Sequence, residues 1–249
     1  MLLKDKVAVV YGASGPIGGA AARAFAREGA RVFLAGRAAA PLDGLAEDIR
    51  AAGGTVETAV VDPREEAAVD AFVDGVVARA GRIDVSFNAI GYGDVQKPLM
   101  EISEADFLRP IVTAMRAQFL TTRAAARHMI ERGTGVILAF GGGGPQTLPG
   151  LGGFKIALDA LEGLRRQWAI ELGPHGIRVV TLKSGGVPET LPEGFPGREA
   201  IVDSLVEATQ LGRGATLADV GDVAAFVASD KARTLTATDV NISCGAIVD

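Results

Sequence analysis

The chain has 249 residues, 48% of them hydrophobic and 22% charged, so it can bury a large core and wholesale disorder is excluded. Its net charge of −5 argues against nucleic acid as a partner, because phosphate binding needs a basic surface. A single cysteine cannot form an internal disulfide, and we predict neither a signal peptide nor a membrane span. We therefore expect a cytoplasmic protein with no membrane partner.

Short apolar runs alternate with longer helical patterns along the chain. Strands are predicted at residues 7–10, 31–34, 56–61, 85–87, 136–140, 177–182 and 239–243. Helices are predicted at 16–28, 41–52, 65–80, from 104 to at least 129, and at 153–172, 199–209 and 218–229. This alternation predicts one α/β domain over residues 1–249, with a doubly wound, parallel seven-stranded sheet and helices on both faces.

A glycine-rich turn separates the first strand from the first helix. It reads Tyr11-Gly12-Ala13-Ser14-Gly15-Pro16-Ile17-Gly18. Glycines let the backbone approach a pyrophosphate closely, and the N-terminus of the helix offers free N–H groups and a positive dipole. The turn therefore predicts a dinucleotide site, with a purely structural turn as the alternative.

The end of the second strand favours NADP(H) over NAD(H). An NAD site usually carries an acid about 20 residues after the glycine turn, where it binds the ribose 2′-hydroxyl. Here the chain has Gly36 and Arg37, and no acid before Asp43. A guanidinium at this position suits a 2′-phosphate, although a solvated arginine is the alternative.

These features resemble the short-chain dehydrogenase/reductase family, and the resemblance covers nearly the whole chain. The family's first turn reads Thr-Gly-x-x-x-Gly-x-Gly, and Gly12 and Gly18 match its first and last glycines. Tyr11 stands for the threonine and Pro16 for the middle glycine. A proline at that position suits the first residue of a helix.

Further motifs carry the resemblance and imply a Rossmann-type NADP site. Asp62 matches the family's acid after the third strand, residues 87–90 match half of its Asn-Asn-Ala-Gly motif, and residues 184–187 read Ser-Gly-Gly-Val where the family has Pro-Gly-x-Val. The cofactor contacts that the resemblance implies are Gly12, Ser14, Gly15, Pro16, Ile17, Gly18, Arg37, Asp62, Pro63, Asn88, Ala89, Ile90, Lys155, Gly185, Gly186 and Val187.

The catalytic motif of the family is broken in this chain. Family members carry a tyrosine as general acid or base, four residues before a lysine that lowers the tyrosine pKa and holds the nicotinamide ribose. We assign Lys155 to the lysine position, which leaves Leu151 at the tyrosine position. Gly142 takes the position of the family's serine, and Ala114 that of its asparagine. Three of four catalytic groups are thus missing.

Three residues are candidate substitutes for the missing proton donor. Tyr92 follows the fourth strand at the carboxyl edge of the sheet, Thr147 lies downstream of Gly142, and Lys155 could donate if desolvation lowered its pKa. The alternatives are a rim residue for Tyr92, a loop residue for Thr147 and a ribose ligand for Lys155. No group of residues has the spacing of metal ligands.

Three functions remain open. The first is an NADP(H)-dependent oxidoreductase with an unusual active site, which moves hydride to or from a small apolar carbonyl, alcohol or enone. The second is an inactive NADP(H)-binding homologue that acts as a sensor or partner subunit. The third is a non-redox lyase, isomerase or cyclase on the same fold. The resemblance also implies a homodimer or homotetramer, built on the helices that begin at residues 104 and 153.

Overall fold

A computed structural model describes residues 1–145 and 147–248, and it contains one parallel sheet with helices on both faces. The strands are β1 (Val7–Tyr11), β2 (Arg31–Gly36), β3 (Thr55–Val60), β4 (Val85–Asn88), β5 (Gly135–Gly141), β6 (Ile177–Lys183) and β7 (Thr238–Asn241). The helices are α1 (Pro16–Arg27), α2 (Ala39–Ala51), α3 (Glu66–Ala80), α4 (Glu104–Arg132), α5 (Gly153–Leu172), α6 (Arg198–Glu207) and α7 (Leu217–Ala228). The predicted doubly wound seven-stranded sheet is confirmed.

The central strands are buried because helices cover both faces of the sheet. Every residue of β1 and β4 is buried, as their short apolar runs predict. Residues of α1, α2 and α7 form one core with the sheet, where Phe25 packs edge-to-face on Phe87. Residues of α3, α4 and α5 form the second core on the opposite face. Within the described residues, no helix is long and apolar enough to span a membrane.

The order of the strands creates a crevice between β1 and β4. The sheet runs β3-β2-β1-β4-β5-β6-β7, so the chain reverses direction across the sheet after β3. Tyr11 at the end of β1 pairs in register with Asn88 at the end of β4. Ligands of doubly wound sheets bind outside the carboxyl ends of the strands at such a reversal. The fold therefore directs a ligand to the turns that follow Tyr11 and Asn88.

The starts of α4 and α2 compare differently with the sequence pattern. The Ser103 side chain caps α4 by accepting a hydrogen bond from the Asp106 amide, as its position before an acidic first turn predicts. Pro41 was expected to open α2, but that helix begins at Ala39. A proline is tolerated there because amides in the first turn have no partner within the helix.

The packing of α5 against α4 depends on the absence of a side chain at Gly153. A Cβ at this position would lie 1.9 Å from the Phe107 backbone oxygen of α4, whereas a Cβ at Gly163 of the same helix would meet nothing within 4 Å. We predict that Gly153→Ala destabilises the protein by about 1–3 kcal/mol, because α5 must move away from α4.

Gly163→Ala is the matched control, and it should stabilise the protein by roughly 0.5–1 kcal/mol through helix propensity. Urea unfolding of both variants measures the two free energies of unfolding. Equal effects of the two substitutions would contradict the close approach of α4 and α5.

Candidate functional site

The turn after β1 closes directly onto the turn after β4. Gly12 has a φ of +72°, and a Cβ there would lie 2.4 Å from the Ala89 backbone oxygen. A Cβ at Gly18 would lie 2.3 Å from the Gly12 oxygen, so α1 packs against its own entry turn. The Gly15 amide also donates to the Gly12 oxygen at 3.0 Å. Glycine is therefore required where the sequence predicts the dinucleotide turn.

The geometry at the start of α1 fits a pyrophosphate. Pro16 is the first residue of the helix, where its missing N–H removes no intrahelical hydrogen bond. The amides of Ile17 and Gly18 follow in the first turn, where N–H groups have no partner within the helix and the dipole favours an anion. The residues present at this turn thus fit a dinucleotide, even though Pro16 replaces the family's middle glycine.

Two arginines flank Asp62 at the ends of β2 and β3. Arg64 forks onto the Asp62 carboxylate, with its Nε 2.9 Å from Oδ1 and its Nη2 2.6 Å from Oδ2. The hydrogen bonds from Arg64 hold the pKa of Asp62 down at about 2, and the exposed Arg37 adds a weaker attraction. Glu65 also attracts Arg64, so this end of the crevice carries charges of both signs. The sequence reasoning missed Arg64, although a basic residue two places after the acid was visible.

The side chain of Asn88 holds α4 against the turn after β4. Its Nδ2 donates to Thr121 Oγ1 on α4 at 2.9 Å, and its Oδ1 accepts from the Ile90 amide at 3.3 Å. Asn88 is buried, so it shapes the crevice by fixing the backbone of Ala89 and Ile90. Asn88, which matches the second asparagine of the family's Asn-Asn-Ala-Gly motif, is therefore hydrogen-bonded through both atoms of its side-chain amide, although Phe87 replaces the first asparagine.

The remaining predicted cofactor residues lie around the same edge of the sheet. Pro63 and Val187 are buried. A Cβ at Gly185 would lie 2.7 Å from the Ala246 side chain, and one at Gly186 would lie 2.7 Å from the Leu205 side chain of α6. The segment after β6 is therefore packed between α6 and the C-terminal segment.

The positions that would carry proton chemistry form an apolar cluster. Tyr92, Ala114 and Leu158 are buried together in it, and Phe154 packs against it. A Cβ at Gly142 would lie 3.7 Å from Leu158 Cδ1, which brings this position to the same cluster. The structure thus joins Ala114 and Gly142, which we matched to the family's asparagine and serine, with Phe154 and Leu158 of α5.

Lys155 does not join this cluster. Its Nζ donates to the Gly144 oxygen at 2.7 Å and to Asp159 Oδ1 at 2.6 Å. Asp159 follows one helical turn later, so the pair lies on a face of α5 about 100° from the face shared by Phe154 and Leu158. The role of Lys155 as a ribose ligand stays a prediction, and in this structure its ammonium is paired with Asp159 on another face.

The two other candidate proton donors lie in different surroundings, and their catalytic roles stay predictions. Tyr92 is 6% exposed, its hydroxyl donates to the Phe140 oxygen at 3.4 Å, and its ring packs on Phe154. Burial raises the pKa of Tyr92, which makes its hydroxyl a poorer acid at neutral pH. Thr147 is exposed on the loop after β5. The structure does not bring Tyr92, Thr147 and Lys155 together as one catalytic group.

Comparisons with known proteins agree with this geometry. A family model described as enoyl-(acyl carrier protein) reductase matches residues 12–246. The chain belongs to the short-chain dehydrogenase/reductase family, a family of oxidoreductases. An A-factor type gamma-butyrolactone 1′-reductase from Streptomyces virginiae is 31% identical over 248 residues, with 98% of this chain and 96% of the relative covered.

Two solved structures with a nicotinamide cofactor have the same fold. A polyketide ketoreductase of the actinorhodin system, bound to NADPH, matches with a TM-score of 0.87 at 26% identity and 97% coverage of both chains. A xylitol dehydrogenase bound to NAD⁺ matches with a TM-score of 0.89 at 24% identity, over 98% of this chain and all of that one. The family's fold binds a nicotinamide cofactor, and these relatives divide between the two forms.

The ion pair between Asp62 and Arg64 makes a prediction about pH. In Arg64→Gln, the pKa of Asp62 should rise from about 2 toward its ordinary value of 3.8, because a cation that stabilises the carboxylate is removed. In the wild type, the pKa of Asp62 is lower in the folded protein than in the unfolded chain. The ion pair therefore stabilises the protein above about pH 4, and this stabilisation is lost as the pH falls toward 2.

A ¹³C chemical-shift titration of the Asp62 carboxyl measures this pKa, and Arg213→Gln is a control because Arg213 pairs with Asp219 instead. An unchanged pKa of Asp62 in Arg64→Gln would contradict the bidentate ion pair between Arg64 and Asp62.

Proposed function

We propose that this protein is an NADP(H)-dependent oxidoreductase that moves hydride to or from a small apolar carbonyl, alcohol or enone. The observation that carries the proposal is the closure of the Gly12 turn on Ala89, which leaves the start of α1 facing the crevice between β1 and β4. The cofactor supplies the hydride when it is bound. The residues that we propose as its ligands are those that the family resemblance implies, except Lys155.

The charges at the ends of β2 and β3 support NADP(H) over NAD(H). Arg37 is exposed at the end of β2, where an acid would repel a 2′-phosphate. Arg64 is paired with Asp62 and is also attracted by Glu65, whereas Arg37 is exposed and acts on Asp62 only through its charge. A 2′-phosphate would gain attraction from the guanidinium of Arg37, whereas the free ribose hydroxyl of NAD(H) would find no carboxylate at the end of β2.

We also propose that Phe154 and Leu158 take the positions of the family's tyrosine and lysine. The two residues have the family's spacing of four, so both lie on one face of α5. That face of α5 packs in the same cluster as Ala114, at the family's asparagine position. It also lies close to Gly142, at the family's serine position. Leu151 and Lys155 have the same spacing, but Lys155 is paired with Asp159. With this assignment, all four catalytic positions lack a transferable proton.

An apolar wall of this kind suits the reduction of a polarised carbon–carbon double bond. Hydride would add to the β-carbon of an enone, and the resulting enolate would take a proton at its α-carbon from water. No side chain needs to protonate an oxygen in that reaction. The rings of Tyr92 and Phe154 and the side chain of Leu158 would bind the apolar part of a small substrate.

A second candidate function has a specific observation in its favour. Removal of one general acid typically costs roughly 10² to 10⁴ in rate, and here no acid stands at any of the four positions. The protein would then bind NADP(H) without turnover, as a sensor or as a partner subunit. The two functions share the cofactor site and differ only in whether hydride leaves the cofactor.

We propose a homodimer or homotetramer as the assembly. Six large apolar side chains are exposed along α4 and α5, namely Leu108, Val112, Phe119, Ile130, Ile156 and Ile170. Phe119 stacks on Trp168 of α5 at a ring distance of 5.8 Å, which joins the two helices into one apolar surface. A surface of this kind is suited to contact with a second copy.

The preference for NADP(H) depends on Arg37 in this account. We predict that Arg37→Ala weakens NADPH binding by roughly 10- to 100-fold, because a charge-assisted hydrogen bond to the 2′-phosphate is lost. NADH binding should change less than about threefold. Fluorescence titration of both nucleotides measures the ratio, and Arg50→Ala serves as a distant control. Equal losses for NADPH and NADH would contradict a 2′-phosphate contact.

The assignment of Phe154 and Leu158 predicts which substitutions restore family chemistry. Phe154→Tyr combined with Leu158→Lys and Gly142→Ser should raise the rate of carbonyl reduction by roughly 10²-fold or more, because a general acid and its lysine are supplied. Leu151→Tyr with Gly142→Ser and the native Lys155 is the matched control, and it should give no gain. A gain in the control alone would contradict the assignment. Steady-state assays with NADPH and small ketones make the comparison.

A further inference from the structure

A second, internal site lies beneath the two helices that form the substrate wall. A small cavity of about 20 Å³ lies between α4, α5 and the strands β5 and β6. Its walls include Gln118 of α4, Arg165 and Trp168 of α5, and Thr181 of β6. About 10–15 Å³ is enough for one water molecule, so the cavity has room for a single small species.

Four polar atoms in the walls of this cavity are buried without a hydrogen-bond partner among residues 1–145 and 147–248. They are Gln118 Nε2, Arg165 Nη1, Trp168 Nε1 and Thr181 Oγ1. Six such side-chain atoms occur in the described part of the chain, so most of them converge on one cavity. Because buried polar groups in proteins are nearly always hydrogen-bonded, their convergence indicates a shared ligand.

The chemistry of the four atoms defines what the ligand must be. The nitrogens of Gln118, Arg165 and Trp168 can only donate hydrogen bonds, and the Thr181 hydroxyl can donate or accept. Arg165 is held in place by Glu162, whose Oε2 accepts from its Nε at 2.9 Å and from its Nη2 at 2.7 Å, so Nη1 is left for the cavity. Such a set repels cations and fits an acceptor.

We propose that this cavity binds one small hydrogen-bond acceptor, a water molecule or a halide ion, in contact with these four side chains. The cavity volume excludes organic ligands. The acceptor joins α4, α5 and β6 through hydrogen bonds that the protein alone does not supply. The site is independent of the proposed function and of the cofactor crevice.

The sign of a stability change tests the site. Thr181→Val keeps the shape of the side chain and removes its hydroxyl. With an acceptor bound, the variant loses a hydrogen bond and its Tm should fall by about 2–4 °C. Without one, the variant removes an unsatisfied buried hydroxyl, so an unchanged or higher Tm would overturn the proposal.

Two further variants keep this comparison interpretable. Trp168→Phe removes the indole N–H of a second donor and should lower the Tm in the same way. Ile137→Val, at an apolar residue of the same cavity, changes packing without changing hydrogen bonds. Its Tm reports the cost of altered packing alone, and its change should not depend on a lost hydrogen bond.

Bromide distinguishes the two possible acceptors. At constant ionic strength, replacement of acetate by bromide should raise the Tm of the wild type but not of Thr181→Val if the ligand is a halide. Crystals grown in bromide should then show an anomalous peak within hydrogen-bond distance of the four atoms. A water ligand gives ordinary density there and no bromide dependence. Absence of density in the cavity in both salts would overturn the proposal.

Discussion

The structure depends on one steric constraint, the contact between Gly12 and the backbone of Ala89. A side chain at Gly12 would bring its Cβ within 2.4 Å of the Ala89 oxygen, and its φ of +72° is one that other residues rarely adopt. This contact joins the turns that follow β1 and β4, where the strand order reverses. Beside this contact, Asn88 donates a hydrogen bond to Thr121 of α4 and accepts one from the Ile90 amide, which ties the turn after β4 to that helix.

Most of the fold could be predicted from the sequence because most strands contain a short apolar run, as in β1 and β4, although β7 reads Thr-Asp-Val-Asn. The positions of all seven strands and of α5 agree with the sequence pattern to within two residues. The candidate site was harder to predict. A motif of two residues four apart can be placed at 151 and 155, across the start of α5, or at 154 and 158, within that helix. Only the contact of Phe154 and Leu158 with the cluster around Ala114 favours the second placement. The burial of Tyr92 depends on contacts between α4 and α5, which no local pattern reveals.

The residues at the proposed catalytic positions differ from those of the family in one direction, toward smaller or less polar side chains. Ala114, Gly142 and Leu158 are each smaller or less polar than the family residues that we assign to them. The Tyr92 ring lies in the same cluster as Ala114 and Leu158, where it occupies space between α4 and α5. Under the proposed assignment, the site has exchanged proton-transfer groups for apolar packing, while Gly12 and Gly18 of the predicted dinucleotide turn are retained.

The central claim is that hydride leaves a cofactor bound in this crevice although no side chain donates a proton. The most direct test is a single-turnover reaction of the wild-type protein with NADPH deuterated at C4 of the nicotinamide and a small apolar enone. The account predicts a product that carries one deuterium at its β-carbon, formed at a rate without a side-chain ionisation between about pH 6 and 9. NADPH that binds at saturation but transfers no deuterium would contradict the claim and would leave cofactor binding as the protein's function.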